Sequence, residues 1–174
     1  MSTTYLFQIM RRSLLTTFVT GVFCLANVSA GSLAVPSADK KVTITLELKD
    51  GWKTEPTKDG GMTIDIPRSG VHIQVWALSQ ATVEDAAKEV AELIKGQVTK
   101  FTVTASKEIR VADAEARQLT GTGEEADDSD PSNAEVYLFT VEGKVFMVCA
   151  HGEGDGTVKN REILTALLAS VKKS

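Results

Sequence analysis

Cysteine is nearly absent from this chain of 174 residues, which holds two thiols, Cys24 and Cys149. A disulfide framework is therefore excluded as the source of its stability. Positive charge is also in deficit, with 19 Lys and Arg against 23 Asp and Glu and a formal net charge of −4. The basic residues are scattered rather than gathered into a patch, which argues against nucleic-acid binding, where a basic face supplies most of the affinity. Long apolar runs are missing as well. A membrane span needs about 20 predominantly apolar residues, whereas the run from Leu14 to Ala26 is short and interrupted by Thr16, Thr17, Thr20 and Gly21. No internal repeat is evident, and no nucleotide-binding, cofactor or catalytic signature stands out.

What is present first is an address. Arg11-Arg12, the apolar run and the small-residue site Val28-Ser29-Ala30 form an export signal over residues 1–30, cut before Gly31. Phe23 is too bulky to precede a lipidated Cys24, and Arg11-Arg12-Ser13-Leu14-Leu15 weakly resembles a twin-arginine signal. Removing 1–30 from 174 leaves 144 residues, with 17 basic against 23 acidic side chains and a net charge of −6. Such a length suits one domain burying about 68 % of the surface its unfolded chain exposes. Cys149 would be its one thiol, so packing alone must stabilise it. The expected organisation is a signal over 1–30, a mobile linker over 31–40 and a single domain over 41–174 that is periplasmic or secreted.

Hydrophobic periodicity supplies the fold class. Val42, Ile44, Leu46 and Leu48 alternate with polar residues, as do Met62, Ile64 and Ile66, and then Val71, Ile73 and Val75, the period-2 pattern of half-buried strands. Thr54 to Gly61 reads as a loop. Thr82 opens a helix, with Asp85 in a capping-box-like position, and Val83, Ala87, Val90 and Ile94 recur at helical spacing up to Gly96. Two hairpins follow. The first turns at Ala112-Asp113 and is polar enough for a sheet edge. The second turns at Glu142-Gly143 and is apolar on both faces, from Val136 to Val141 and from Val145 to Ala150. A closing helix from about Val158 to Lys172 carries Ile163, Leu164, Leu167, Leu168 and Val171 on one stripe. The expected class is α+β, an antiparallel sheet sandwiched between helices.

This order of elements resembles the PsbP/Mog1-like superfamily, on an early hairpin with Gly51-Trp52, a strand ending in Ile66-Pro67, two later hairpins and a terminal helix from Ile163-Leu164 to Ser170. The resemblance implies an α/β/α sandwich. It also implies a mostly non-catalytic set of proteins: accessory subunits of photosystem II, regulators of a nuclear GTPase, and secreted or periplasmic proteins. No shared residue set carries over to this chain.

Four groups of residues could hold chemistry. Cys149 and His151 fall on one side of a strand and could pair as nucleophile and base of a small thiol-dependent hydrolase, but Cys149 stands in an apolar run and a packed thiol is the favoured reading. Gly152-Glu153-Gly154-Asp155-Gly156-Thr157 lies between a strand and a helix, yet it matches no phosphate-binding spacing and its carboxylates repel anions, so it reads as a turn with Thr157 as N-cap. The acidic loop over 124–130 offers carboxylates for weak calcium binding but lacks EF-hand order. Finally, His72, Gln74 and Trp76 share a strand face, and His72 and Trp76 are the first candidates for binding. The expectation is a non-catalytic binding or accessory module of the cell envelope, without cofactor or assigned metal. Its partner would be an envelope protein or a small ligand, with no nucleic acid and no stable membrane span. Intact-mass measurement on protein recovered from the envelope or medium should find a chain starting near Gly31; Met1 retained on cytosolic material overturns the export reading.

Overall fold

Alternating apolar residues lay down strands through most of the chain in a computed structural model that describes residues 31–58 and 60–174. The export signal expected over 1–30 lies outside the described residues. In chain order the strands and helices are β1 (Ser32–Pro36), β2 (Thr43–Glu47), β3 (Lys53–Pro56), β4 (Met62–Asp65), β5 (His72–Ala77), α1 (Val83–Lys88), α2 (Val90–Leu93), β6 (Val98–Val111), β7 (Ala114–Glu125), β8 (Pro131–Val141), β9 (Lys144–Glu153), α3 (Gly156–Lys159), α4 (Arg161–Ala169) and β10 (Lys172–Lys173). One sheet has seven strands in the order β3-β4-β5-β9-β8-β7-β6, and a smaller one runs β1-β2-β10. All of the pairings are antiparallel. The result is a mostly antiparallel α+β fold.

The β8–β9 hairpin is its centre. Its turn is Glu142-Gly143, both with positive φ, 48° and 72°, the conformation that a tight hairpin twisting with its strands requires. Phe139 and Phe146 face each other across the pair, fully buried, with ring centroids 6.1 Å apart. On their side Tyr137, Val148 and Ala150 join Ile64, Ile73 and Val75, and the whole face is covered by Leu164, Leu167 and Leu168 of α4 together with Leu33, Val35, Ile44 and Leu46 of the small sheet. On the other side Val136, Leu138, Met147 and Cys149 pack against Ala86, Val90 and Ile94 of the α1–α2 segment.

Sequence and structure diverge at four places. The expected linker over 31–40 contains β1, where Leu33 and Val35 are buried and the backbone pairs with β2; a two-residue apolar alternation is too short to stand out beside Ser32, Ala34 and Pro36. The expected loop at Thr54 to Gly61 begins inside the edge strand β3, whose partner β4 supplies the order its polar sequence does not announce. The first helix does start at Thr82, whose Oγ1 accepts from the Asp85 N–H at 3.1 Å, but it bends at Glu89 (φ −101°, ψ 7°) into α2. The closing helix is broken at Asn160, whose Nδ2 donates to the Ser69 carbonyl at 3.0 Å and to the Gly156 carbonyl at 2.8 Å. Lys172 and Lys173 then leave the helix as β10 and pair with Thr45 and Ile44. Helices therefore cover less of the large sheet than the sequence implies, and the small sheet covers part of one face.

A polar network fixes α4 in place. Glu135 on β8 is 1 % exposed; its carboxylate accepts from Arg161 Nη2 at 2.9 Å, from Gln118 Nε2 at 3.0 Å and from the Tyr137 hydroxyl. Burial, followed by the adjacent carboxylate, pushes the Tyr137 phenol well above its ordinary pKa, so it stays a hydrogen-bond donor. Phe139→Ala should cost about 3–5 kcal/mol, the range for truncating a buried aromatic. A urea titration with an unchanged slope and a midpoint displaced by less than a third of that amount would contradict this packing.

Candidate functional site

The strands carry one face of the large sheet past its helical cover. Met147 and Cys149 lie under the α1–α2 segment, but two residues farther along β9 stands His151, directly opposite His72 on β5. Both histidines line a cleft of about 580 Å³, with Gln74, Glu125, Asp127 and Glu153 among the other walls. The end of β9 is held tightly against the turn before β5. A Cβ on Gly152 would lie 2.2 Å from the Gly70 carbonyl oxygen, so this position takes glycine because of the close approach of two backbones.

His151 is 5 % exposed. Its Nδ1 lies 2.9 Å from Glu125 Oε2, and Glu125 is steadied in turn by the Ser132 hydroxyl. Desolvation lowers the His151 pKa and outweighs the opposing pull of Glu125, so the imidazole is neutral at neutral pH. An ionised carboxylate only accepts, so the shared proton sits on Nδ1 and the lone pair on Nε2. That Nε2 is buried and has no hydrogen-bond partner among the described residues. His72 is exposed, and its ring centroid is 5.6 Å from that of His151, with the planes inclined at 33°.

Of the two residues expected to bind, the fold brings His72 to the cleft. Trp76 shares its strand face, as the period-2 reading requires, but stands half-buried against the α1–α2 cluster beside Met147. Cys149 and His151 also share a face, yet the nitrogen that His151 holds in a hydrogen bond is turned to Glu125. Cys149 is fully buried, and desolvation, reinforced by the charge of Glu125, pushes its thiol up to about 12. The thiol-hydrolase alternative thus loses its nucleophile, because a thiolate is the reactive form.

The acidic loop divides. Glu124 pairs with Lys100 at 2.8 Å on the surface, Glu125 turns inward to His151, and Asp128 and Asp130 meet Glu153 from the end of β9, their carboxylate oxygens mutually within 4.8 Å. The Gly-rich stretch is a wall of the cleft rather than an anion cradle, and Lys159 beside it is paired with Asp155 at 2.8 Å. Thr157 does not cap; it is 1 % exposed inside α3, and Asp155 holds the N-cap position. Sequence reading missed the His151–Glu125–Ser132 chain, since Glu125 reads as one more charge in an acidic run. The signal that could have found it is the pair of histidines, one near the start of β5 and one at the end of β9.

This geometry belongs to a PsbP/Mog1-like fold. The chain is similar to the solution structure of cyanobacterial PsbP (CyanoP) from Synechocystis sp. PCC 6803, with a TM-score of 0.58 and 11 % identity, covering 87 % of this chain and 97 % of that one. It is also similar to LpqN, described as involved in cell envelope biogenesis of Mycobacterium tuberculosis, with a TM-score of 0.53 and 14 % identity over 86 % of this chain and 94 % of that one. At such identities the likeness concerns the fold. No family model and no curated protein matches the sequence. Among the described residues no helix is long and apolar enough to cross a membrane.

Iodoacetamide applied to the native protein, followed by peptide mapping, should leave Cys149 unmodified and label it fully once the chain is unfolded in denaturant. Rapid native labelling at neutral pH would restore the nucleophile.

Proposed function

We propose that this protein is an extracytoplasmic, non-catalytic accessory module that holds a ligand or an envelope partner in the cleft over the paired ends of β5 and β9. The observation that carries the reading is the cleft itself: a concavity of about 580 Å³ at the end of the sheet, walled by His72, Gln74, Glu125 and His151. Ligand sites are typically concave, with a few placed polar groups. The likeness to LpqN and CyanoP supports a role outside the cytoplasm, as does the signal read over 1–30. Against catalysis stands the sealed thiol, which removes the one nucleophile the sequence offered beside a base. In this reading α4 on one face and the α1–α2 segment on the other are scaffold, and binding belongs to the uncovered strand ends.

Photo-crosslinking tests it. A benzoylphenylalanine placed at Gln74, inside the cleft, should yield a discrete adduct when the protein is irradiated with an envelope fraction. The same group at Lys53, exposed on β3 at the sheet's edge, should not. Absence of an adduct from Gln74 together with turnover in a broad substrate screen would overturn the proposal.

A further inference from the structure

The whole chain contains two histidines, and the fold sets them side by side from strands far apart in sequence. His72 and His151 are direct cross-strand partners with ring centroids 5.6 Å apart. That separation, ordinary for directly opposed strand residues, is also one that a shared ion can bridge. An ion bound about 2.0–2.1 Å from an imidazole nitrogen stands about 3.2 Å from the ring centroid, so two rings sharing it at angles of about 109–120° have centroids roughly 5.2–5.5 Å apart. The observed spacing is within about 0.4 Å of that whole range.

The second observation is the orphaned nitrogen. His151 is 95 % removed from solvent by its 5 % exposure, and its Nε2 has no hydrogen-bond partner among the described residues. A buried acceptor left unpaired costs about 1–3 kcal/mol, a cost removed by anything that takes the lone pair. The opposite nitrogen is held by Glu125, itself held by Ser132. Metal-binding histidines are commonly oriented in this way, by a carboxylate on the other ring N–H. The carboxylates of Asp128, Asp130 and Glu153 form a separate cluster on the cleft rim, which neither histidine joins.

We propose that His72 and His151 together bind one divalent transition-metal ion, with Glu125 acting as a positioning residue. Imidazole ligands suit Zn²⁺, Cu²⁺ and Ni²⁺, whereas calcium takes oxygen ligands. The site therefore selects borderline cations and not the hard cation that the acidic loop alone would attract. The inference rests on the cleft assigned above as the binding site, but it does not require a protein partner.

The test uses the purified, chelator-treated protein without a histidine tag, titrated with Zn²⁺ alone at pH 7.5 and separately with Ca²⁺. Calorimetry should give one Zn²⁺ per chain, and the two imidazole NMR signals should move together and saturate at one equivalent. His72→Ala removes an exposed side chain, so its fold is checked by circular dichroism, and it should weaken Zn²⁺ binding by more than about ten-fold, the loss typical even of residues that only support a ligand. No Zn²⁺ binding, binding unchanged by His72→Ala with static imidazoles, or Ca²⁺ raising the melting temperature as much as Zn²⁺ would each overturn the proposal. If Zn²⁺ fails while the Gln74 adduct persists, the metal site falls and the binding module stands; the reverse outcome separates them the other way.

Discussion

A hairpin that is apolar on both faces constrains everything around it. From Val136 to Phe139 and from Val145 to Ala150 successive side chains point to opposite sides and each is buried, so no orientation of these strands leaves a face for water. Both faces must be covered, and the chain does so with unlike materials. One face receives α4 and the small sheet, the other the bent α1–α2 segment. Glu135 is the exception that locates α4, since a carboxylate buried within an apolar strand must be matched by donors. Arg161, Gln118 and Tyr137 provide them.

The chemistry of the site follows from where that cover stops. Along β9, Met147, Cys149 and His151 occupy equivalent positions on one face, and the environment changes step by step. The thiol is sealed beneath α1 and α2 and held in its neutral form. The imidazole two residues later is shielded but borders the cleft, with one nitrogen committed to Glu125. His72 across the pair is open to solvent. A gradient of burial along a single strand thus seals the thiol, while the open group stands across the pair at His72, without any special sequence motif.

Legibility in the sequence tracked the length of the pattern. The β8–β9 hairpin, β2, β4 and β5 announce themselves by sustained alternation or by turn residues such as Gly143, and Thr82 announces α1 by its cap. β1 and β3 do not, because four or five residues with proline and charge carry too little periodicity, and pairing supplied by a distant strand decides their state. The single long terminal helix expected from the leucine stripe fails at Asn160, where a side-chain contact to the Ser69 turn outweighs local propensity. At the site, the period-2 rule correctly put His72, Gln74 and Trp76 on one face but could not say where the helical cover would end. Glu125 and Glu153 escaped for another reason: their partners are set by register between β7, β8 and β9, which a one-dimensional reading of charges does not contain.

The large sheet is open, and its two ends are finished differently. β3 is four residues long and ends in Pro56, which has no amide hydrogen to offer. At the far end β6 runs for fourteen residues with pairing on one side only, yet its register with β7 slips between Thr99 and Thr102 and again between Val103 and Ala105, and Lys100 adopts a positive φ of 52°. A stranger's backbone laid along the first half of β6 would lose step between Thr99 and Ala105. Such margins discourage strand addition between neighbouring copies at either end of the sheet.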